Sequence, residues 1–356
     1  MEQKSVLIGM SGGVDSSVAA ALLKEQGYHV IGATMRLWTY SDSCNMKHEG
    51  CCAESAVEDA RRVCDKLGID FYVMNFKDMF KDKVVDYFVD EYIHGRTPNP
   101  CIACNKYLKF DALLKKALAM GIDYVATGHY ARIEKGEDGK YILRASEAVK
   151  KDQSYVLYNF TQEQLAHTLM PLGGYNKDWV RQKAEEFGLG VAHKPDSQEI
   201  CFVEDDDYAK FITDYSGYKP KEGDILDVNG NVIGKHRGLI YYTIGQRKGI
   251  GAYGRPMFVM KIDAENNTIT LGEKGMEFSN ELTAYDVNFV SGEFPKENML
   301  ITAKVRYQAP PAAAMLCPQK DGTVKLMFPE PQRAVTPGQA VVFYDGDIVL
   351  GGGTVL

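Results

Sequence analysis

The sequence predicts an α/β fold, in which a doubly wound parallel sheet is followed by a small mixed β domain and a C-terminal β-barrel. Strand-like runs alternate with helical patterns over roughly the first two hundred residues, which favours a parallel sheet with helices on both faces. After about residue 215, short apolar runs alternate with Asn-Gly and Asp-Gly pairs, a pattern typical of β domains. The chain has 356 residues, enough for two or three domains, and we expect these at 1–210, 211–280 and 281–356.

The first domain is predicted to begin with a βαβ unit. VLIGM (6–10) is a buried strand, SSVAAALLKEQG a helix that ends at Gly27, and HVIGATM (29–35) the next strand. Further helices are predicted at 53–68, 78–95, 108–121, 161–169 and 176–188, further strands at 71–76 and 123–131, and a hairpin at 131–145. In such a sheet, ligands bind at the carboxyl ends of the strands, so functional residues are expected in the loops that follow them.

Composition excludes several classes of protein. Hydrophobic residues make up 45% and charged residues 25% of the chain, which excludes disorder, collagen and coiled coil as the main state. No apolar run approaches the roughly 18 residues of a membrane span, and the N-terminal apolar run is too short for a signal peptide, so a cytoplasmic protein is expected. The net charge is 41 − 48 = −7, so any RNA affinity must come from local basic patches.

The segment SGGVDS (11–16) follows the first predicted strand and leads directly into a helix. Gly12 and Gly13 allow a tight turn with exposed backbone N–H groups, and the helix start adds unpaired donors and the positive end of its dipole. Ser11 and Ser16 add hydroxyl donors, while Asp15 could cap the helix or bind Mg²⁺. Because no Gly-Lys-Ser/Thr follows, this is not the common γ-phosphate loop. The pattern nevertheless predicts a phosphorylated ligand.

Three of the eight cysteines have surroundings that favour chemistry over packing. Cys101 and Cys104 lie in TPNPCIACN (97–105), whose prolines predict an extended loop that leads into a helix. A thiol near a helix N-terminus is favoured as the thiolate, so one of the two is expected to be nucleophilic. Cys201 follows a polar loop and is surrounded by acids that disfavour its thiolate. Cys64 and Cys317 fall in apolar patterns and are interpreted as small hydrophobic residues.

A basic run at 235–261 is the best candidate for an RNA surface. It contains no acid, and three tyrosines are interleaved with its cations, as expected of a surface that follows phosphates and stacks on bases. A solvated β face fits the composition equally well. The cations are Lys235, Arg237, Arg247, Lys248, Arg255 and Lys261.

Six segments together give the sequence a specific resemblance. SGGVDS alone resembles the pyrophosphate loop of the N-type ATP pyrophosphatases, which cleave ATP between its α and β phosphates. With GRTPNPCIACN, ATGHYAR, KDQSYVL, KPDSQEICF and TIGQRKGIG, in this order and at roughly these spacings, the chain is similar to the tRNA-specific 2-thiouridylases over essentially its whole length.

That resemblance implies an adenine-nucleotide hydrolase-like fold and assigns roles to individual residues. Cys104 would be the nucleophilic partner and Cys201 the carrier of a persulfide. ATP would contact Gly9, Met10, Ser11, Gly12, Gly13, Val14, Asp15, Ser16, Met35 and Gly128. The target uracil would lie against Asn99, Pro100 and Cys101, and other tRNA contacts would come from His129, Lys151, Asp152, Gln153, Arg306, Tyr307 and Gln339. Many relatives have aspartate where this chain has Cys101, which leaves proton transfer unassigned.

The reaction implied is thiolation of the wobble uridine of tRNA. ATP and Mg²⁺ would adenylate the uracil 2-oxygen, and persulfide-derived sulfur would then displace AMP, with a transient disulfide between Cys104 and Cys201. The target base would have to be flipped out of the anticodon loop. A cysteine desulfurase or sulfur-relay protein would be the donor, and no membrane partner is expected.

Several alternatives remain open from the sequence. Cys101, Cys104 and Cys201 could instead bind an iron–sulfur cluster with one open iron position. Cys44, His48, Cys51 and Cys52 superficially resemble a zinc set, although their spacing is not a standard one. The enzyme could be another adenylating ligase or amidotransferase of the superfamily, or the chain could be a non-catalytic RNA-binding or sulfur-carrier protein.

Overall fold

The structure is a computed structural model that describes residues 3–38, 54–195, 200–203 and 206–356. Its strands form a five-stranded parallel sheet, a four-stranded mixed sheet and an eight-stranded antiparallel sheet. The predicted fold class is therefore confirmed, with a doubly wound α/β domain, a small mixed β domain and a β-barrel in that order. Cys44, His48, Cys51 and Cys52, the candidate zinc set, lie outside the described residues.

The parallel sheet has the strand order β3-β2-β1-β4-β7. Its central strand, β1, pairs on one side with β2 and on the other with β4, with Leu7 between Ile31 and Val125. This is the point at which the strand order reverses, and it is where open α/β sheets place their ligand crevice. The strands are β1 Ser5–Gly9, β2 His29–Arg36, β3 Asp70–Asn75, β4 Tyr124–Ala126 and β7 Thr168–Leu169.

Two hydrophobic cores lie on opposite faces of this sheet because alternate residues of a strand point to opposite sides. Leu7 and Val125 belong to one core, whereas Val6 and Ile8 belong to the other. The α-helices of the described residues are α1 Val14–Glu25, α2 Glu54–Leu67, α3 Lys77–Phe80, α4 Tyr87–Ile93, α5 Pro100–Ala103, α6 Leu113–Ala119, α7 Gln162–Ala166, α8 Lys177–Glu186 and α9 Tyr208–Ser216. Lys81–Asp86 and Cys104–Ala112 are π-helical. None of these helices is both long enough and apolar enough to cross a membrane.

Three local predictions are corrected. The helix that carries the cysteines begins at Pro100, so only the residues up to Asn99 are extended, since proline is well tolerated at the first helical position. The strand predicted at 123–131 ends at Ala126, and Ala131 starts a strand of another sheet. Part of the helix predicted at 161–169 is instead strand β7, which forms the sheet edge beside β4.

The predicted hairpin at 131–145 is confirmed, but it belongs to the C-terminal sheet. Its strands are β5 Ala131–Lys135 and β6 Tyr141–Ala145, and Arg144 of β6 pairs with Ile348 of the last strand. Arg132 and Arg144 both form ion pairs with Asp347. Because this hairpin is contributed by the first domain, it fixes that domain to the barrel.

The two C-terminal β units have separate cores. The four-stranded sheet consists of β8 Gly223–Leu226, β9 Val232–His236, β10 Met257–Asp263 and β11 Thr268–Glu273, packed around residues such as Val259 and Leu271. The barrel consists of β12 Phe278–Phe289, β13 Met299–Lys304, β14 Ala312–Pro318, β15 Val324–Arg333, β16 Ala340–Asp345 and β17 Ile348–Val355. It is closed because β12 pairs with both β15 and β17.

Cys64 packs between α2 and the sheet, which confirms its interpretation as a core residue. It is fully buried, and its sulfur lies 2.5 Å from the position that a Cβ on Gly32 would occupy. Burial, with a smaller contribution from Asp65, raises the pKa of the Cys64 thiol to about 12.

We expect an alkylating reagent to modify Cys101 much faster than Cys64 in the folded protein. At about pH 8 Cys64 should stay unmodified, because the thiolate is the reactive form and its pKa is far above that pH, whereas exposed Cys101 should react. Peptide mass spectrometry after iodoacetamide treatment measures both, with urea-unfolded protein as the control in which Cys64 reacts. Equal rates for the two thiols in the folded protein would contradict this packing.

Candidate functional site

The loop between β1 and α1 is built as an anion cradle. Gly12 has φ of +70°, and a Cβ there would lie 2.3 Å from the Ala56 carbonyl oxygen, so only glycine fits. Gly13 is the N-cap of α1 and offers no side-chain acceptor to the helix N–H groups. The hydroxyls of Ser16 and Ser17 both donate to the Gly13 carbonyl, at 3.2 and 2.8 Å, which fixes the turn. The backbone donors at the start of α1 are therefore available to an anion.

The residues predicted to contact ATP are grouped around this loop. A Cβ on Gly128, which follows β4, would lie 2.7 Å from the backbone nitrogen of Ser16, so the two segments are in close backbone contact. The buried Met10 donates its N–H to the Ala33 carbonyl, and partly buried Met35 is two residues further along β2. Gly9 ends β1 and faces the Ala126 carbonyl. All of these positions lie at the carboxyl edge of the sheet.

Asp15 does not cap the helix, so that interpretation was wrong. Its carboxylate accepts hydrogen bonds from Lys177 Nζ at 2.8 and 2.9 Å and from the Tyr130 hydroxyl at 2.7 Å. Lys177 is the first residue of α8, far away in sequence. Because Asp15 is held by these partners, its carboxylate does not compete with a bound anion for the N–H groups of α1.

The lysine that is missing from the loop sequence is supplied by distant segments. Lys194 donates to the Gly12 carbonyl at 3.2 Å and forms an ion pair with Asp59 of α2 at 2.8 Å. Neither Lys177 nor Lys194 could be placed from local sequence, since the separation of Lys194 from Gly12 is 182 positions. The only available signal was that Lys194 belongs to the KPDSQEICF segment.

Asn99 begins the helix that carries Cys101 and Cys104. Its side-chain oxygen accepts from the N–H of Cys101 at 3.1 Å and of Ile102 at 3.4 Å, while Pro100 occupies the first helical position. Cys101 is exposed and Cys104 is buried, and both lie within the first turns of this helical segment.

The barrel holds the segment that leads to this helix. The Thr97 N–H donates to the Pro337 carbonyl, and the Gln339 side chain donates to the Thr97 carbonyl, both at 2.9 Å. Arg96 forms an ion pair with buried Glu91 of α4. Gln339, predicted to contact tRNA, therefore fixes the loop that carries the target-base residues.

Cys201 is partly buried and packs against the same hydrophobic core that contains Cys104. Its neighbour Phe202 is buried against Phe80 and Phe88, at ring-centroid distances of 5.7 and 5.2 Å. Within the described ranges, no three His, Cys, Asp or Glu side chains are grouped closely enough to bind a metal ion. Cys101, Cys104 and Cys201 are therefore not assembled as cluster ligands in this conformation.

Lys151, Asp152 and Gln153 lie between the anion cradle and the barrel. Asp152 is held by the N–H groups of Ser146 and Ser154 and by the Ser154 hydroxyl, at 2.8 to 3.1 Å. The Tyr307 hydroxyl donates to the Asp152 carbonyl at 3.3 Å, and Tyr307 is 41% exposed. Burial, with a smaller contribution from Asp152, raises the pKa of Tyr307.

Two other residues predicted to contact tRNA are engaged within the fold. The Arg306 guanidinium donates to the carbonyls of Ala334 and Ile244 and to the Thr336 hydroxyl, so it joins the small β domain to the barrel. His129 is buried, with Nδ1 2.7 Å from the Thr127 hydroxyl. Burial lowers the pKa of His129 well below its ordinary value, with a smaller effect of Lys109. The imidazole is therefore neutral at physiological pH.

The basic run at 235–261 is partly neutralised by neighbouring carboxylates. Lys235 pairs with Asp224, Arg255 with Glu273 and Lys261 with Asp263, at 2.5 to 3.0 Å. Arg237 lies over the Tyr241 ring at 3.9 Å. In the described parts of the chain, Arg247 and Lys248 form no ion pair, and Arg247 lines a cleft of about 350 Å³ with Tyr253 and Arg255.

Three family models match the chain in succession. They are a tRNA methyl transferase HUP domain over residues 4–205, a tRNA methyl transferase PRC-barrel domain over 209–273 and an aminomethyltransferase beta-barrel domain over 279–355. The parallel sheet with its open glycine loop, together with these matches, defines a HUP-class α/β protein that carries two β domains.

Full-length relatives make the identification specific. The tRNA-specific 2-thiouridylase MnmA of Acetivibrio thermocellus is 59% identical over 358 residues, which cover all of both chains. The protein of the same name from Clostridioides difficile is 58% identical over 99% of this chain and 98% of its own. The chain belongs to the tRNA-specific 2-thiouridylase family, which confirms the resemblance found in the sequence motifs.

Substitution of Gly128 by alanine should impair nucleotide binding. The new methyl group would meet the Ser16 backbone nitrogen, and overpacking of this kind costs about 1–3 kcal/mol, so we expect ATP affinity to fall roughly tenfold or more. Gly174→Ala is the matched control, because a Cβ there has nothing within 4 Å. Calorimetric titration with ATP measures both variants. Wild-type affinity in Gly128→Ala would show that the close contact does not shape the cradle.

Proposed function

We propose that the protein is an ATP-dependent tRNA 2-thiouridylase that installs sulfur at position 2 of the wobble uridine. One chain of contacts carries this proposal. Asp15 of the anion cradle accepts from the Tyr130 hydroxyl, and Tyr130 exchanges hydrogen bonds with Gln153 at 3.0 and 2.9 Å. The preceding residue, Asp152, accepts at its carbonyl from the Tyr307 hydroxyl of the barrel. These contacts connect the cradle to the barrel, and the barrel in turn holds Thr97, in the loop that leads to the two cysteines, through Pro337 and Gln339.

The first step would be activation of the uracil. The cradle would bind the ATP phosphates, with Lys177 and Lys194 as neighbouring cations. The uracil 2-oxygen would attack the α-phosphorus, the bond to the β-phosphate would break, and pyrophosphate would leave. Adenylation converts a poor leaving group into AMP, and this makes displacement at carbon 2 feasible.

The second step would deliver sulfur. A persulfide on Cys201 would be attacked by the Cys104 thiolate, which forms a Cys104–Cys201 disulfide and releases hydrosulfide. Hydrosulfide would add to carbon 2 and expel AMP with the former 2-oxygen, leaving the carbon–sulfur double bond. The disulfide would need two electrons from a cellular thiol before the next turnover. A cysteine desulfurase or sulfur-relay protein would reload Cys201, and a reducing cytoplasm suits this chemistry.

Mg²⁺ would enter with the ATP phosphates, whose charge it would neutralise. Asp15 is the carboxylate that adjoins the cradle, and it is already bound by Lys177 and Tyr130. Among the described residues, no three His, Cys, Asp or Glu side chains are grouped as metal ligands.

We also propose the domain division 1–210, 211–280 and 281–356, although helix α9 (Tyr208–Ser216) and strand β12 (Phe278–Phe289) cross its limits.

Serine at Cys104 or Cys201 should separate sulfur transfer from adenylation. Both variants should lose transfer of labelled sulfur from cysteine, through a desulfurase, into tRNA, by at least roughly a hundredfold, since serine cannot carry or attack a persulfide. They should keep tRNA-dependent ATP–pyrophosphate exchange. Cys317→Ser is the control and should retain both activities. Full thiolation by Cys201→Ser would instead favour an amide-forming relative that needs no thiol.

The cations of 235–261 should differ in their contribution to tRNA binding. Arg247→Gln should lower the slope of log affinity against log salt by roughly 0.7–0.9, the value for one lost phosphate contact. Lys235→Gln should change it less, because Asp224 already neutralises that charge. Filter binding of unmodified tRNA across a salt series measures both. Equal slopes for Arg247→Gln and the wild type would show that Arg247 does not contact an RNA phosphate and that the RNA surface lies elsewhere.

A further inference from the structure

Lys304 is the last residue of β13, and its side chain leaves the barrel towards the first domain. Its neighbours Ala303 and Val305 are buried in the barrel core, whereas Lys304 is only partly buried. Its ammonium lies 5.8 Å from the ring centroids of both Tyr155 and Tyr307, which are themselves 5.7 Å apart and roughly edge to face. The charge is therefore held by two aromatic rings, one from each domain.

This cation lacks the partner that other cations at the same domain boundary have. Arg132 and Arg144 pair with Asp347, and Lys106 pairs with Asp286. Lys304 forms no ion pair with any carboxylate in the ranges that the structure describes. The nearby Asp152 is directed to three donors of Ser146 and Ser154.

Partial burial of an unpaired ammonium costs free energy, and cation–π contacts compensate it only in part. Burial accordingly lowers the pKa of Lys304, against a smaller opposite effect of Asp152. An anion that binds to the ammonium stabilises its charged form. The surroundings of Lys304 therefore favour the binding of an anion.

The position of Lys304 indicates which anion would bind to it. Tyr307 contacts both Lys304 and the Asp152 carbonyl. The same barrel holds Thr97, in the loop proposed to receive the target base, through Pro337 and Gln339. The ATP phosphates have their own cradle, with Lys177 and Lys194. Among the anions of the proposed reaction, the RNA backbone is the one that reaches the barrel side of the Thr97 loop together with the target base.

We infer that Lys304 binds a backbone phosphate next to the flipped uridine and so positions that base against the Cys101 loop. Tyr155 and Tyr307 hold the ammonium in place. The bound phosphate supplies the negative charge with which the ammonium pairs. This inference rests on the proposed function and adds a substrate-binding residue to it.

The test compares Lys304→Met, Lys304→Arg and Lys325→Met in binding an unmodified anticodon stem-loop RNA with uridine at the wobble position. Methionine keeps the apolar stem on the tyrosine rings and removes the charge, while arginine keeps the charge. Lys325 is the matched control, because it lies on the same barrel and already pairs with Glu281. We expect Lys304→Met to bind about tenfold more weakly, with a salt slope lower by roughly 0.7–0.9. The other two variants should bind like the wild type, and ATP–pyrophosphate exchange assayed at saturating RNA should persist in all three.

An unchanged salt slope in Lys304→Met, with wild-type RNA binding intact, overturns this inference alone. Absence of RNA binding by the wild type overturns the proposed function as well. Should Lys304→Met fold poorly, amine labelling of the wild-type enzyme decides the matter. Lys304 should then be labelled in the free enzyme and with ATP, and protected by the stem-loop RNA. Protection by ATP alone, or by neither, overturns the inference.

Discussion

The site depends on a backbone contact that only glycine permits. The start of α1 has to stay open at the sheet edge, yet two other segments press against it, with the Ala56 carbonyl beside Gly12 and Gly128 against Ser16. A side chain at either glycine would collide with this neighbouring backbone and push the segments apart. The cradle is consequently made of peptide groups, whose positions are fixed by the sheet and do not have to reorganise when charge develops.

This construction explains the arrangement of charge around the cradle. Lysines 177 and 194 come from the segments that follow the sheet and approach the loop from outside. Lys177 and Tyr130 hold Asp15 away from the helix N–H groups, which a capping side chain would have occupied. The same tyrosine continues the contact to Gln153 and so links nucleotide binding to the surface that faces the barrel.

The barrel belongs to the site as much as the α/β domain does. Strand β6 of the first domain pairs with β17 of the barrel. Pro337 and Gln339 of the barrel hold Thr97 of the first domain. The Tyr155 hydroxyl of the first domain donates to the Ala340 carbonyl of the barrel at 2.7 Å. Three cations at this boundary, Arg132, Arg144 and Lys106, pair with Asp347 or Asp286. Within the part of the chain that the structure describes, Lys304 and Arg247 form no ion pair, and RNA recognition can depend on such cations.

The sequence by itself determined the features that are local in the chain. Strand, glycines and helix follow one another around SGGVDS, so an anion-binding loop was predicted from residue types and their order, as was the two-sided sheet. The family was indicated by the resemblance of six sequence segments. For Asp15 the sequence left a helix cap and a Mg²⁺ ligand as alternatives. The structure excludes the cap, because Lys177, which local sequence cannot place, binds the carboxylate. Only the tertiary structure could bury His129 and direct Arg306 to the carbonyls of Ile244 and Ala334. It also placed Lys304 between Tyr155 and Tyr307, because such contacts join residues that are adjacent in space and remote along the chain.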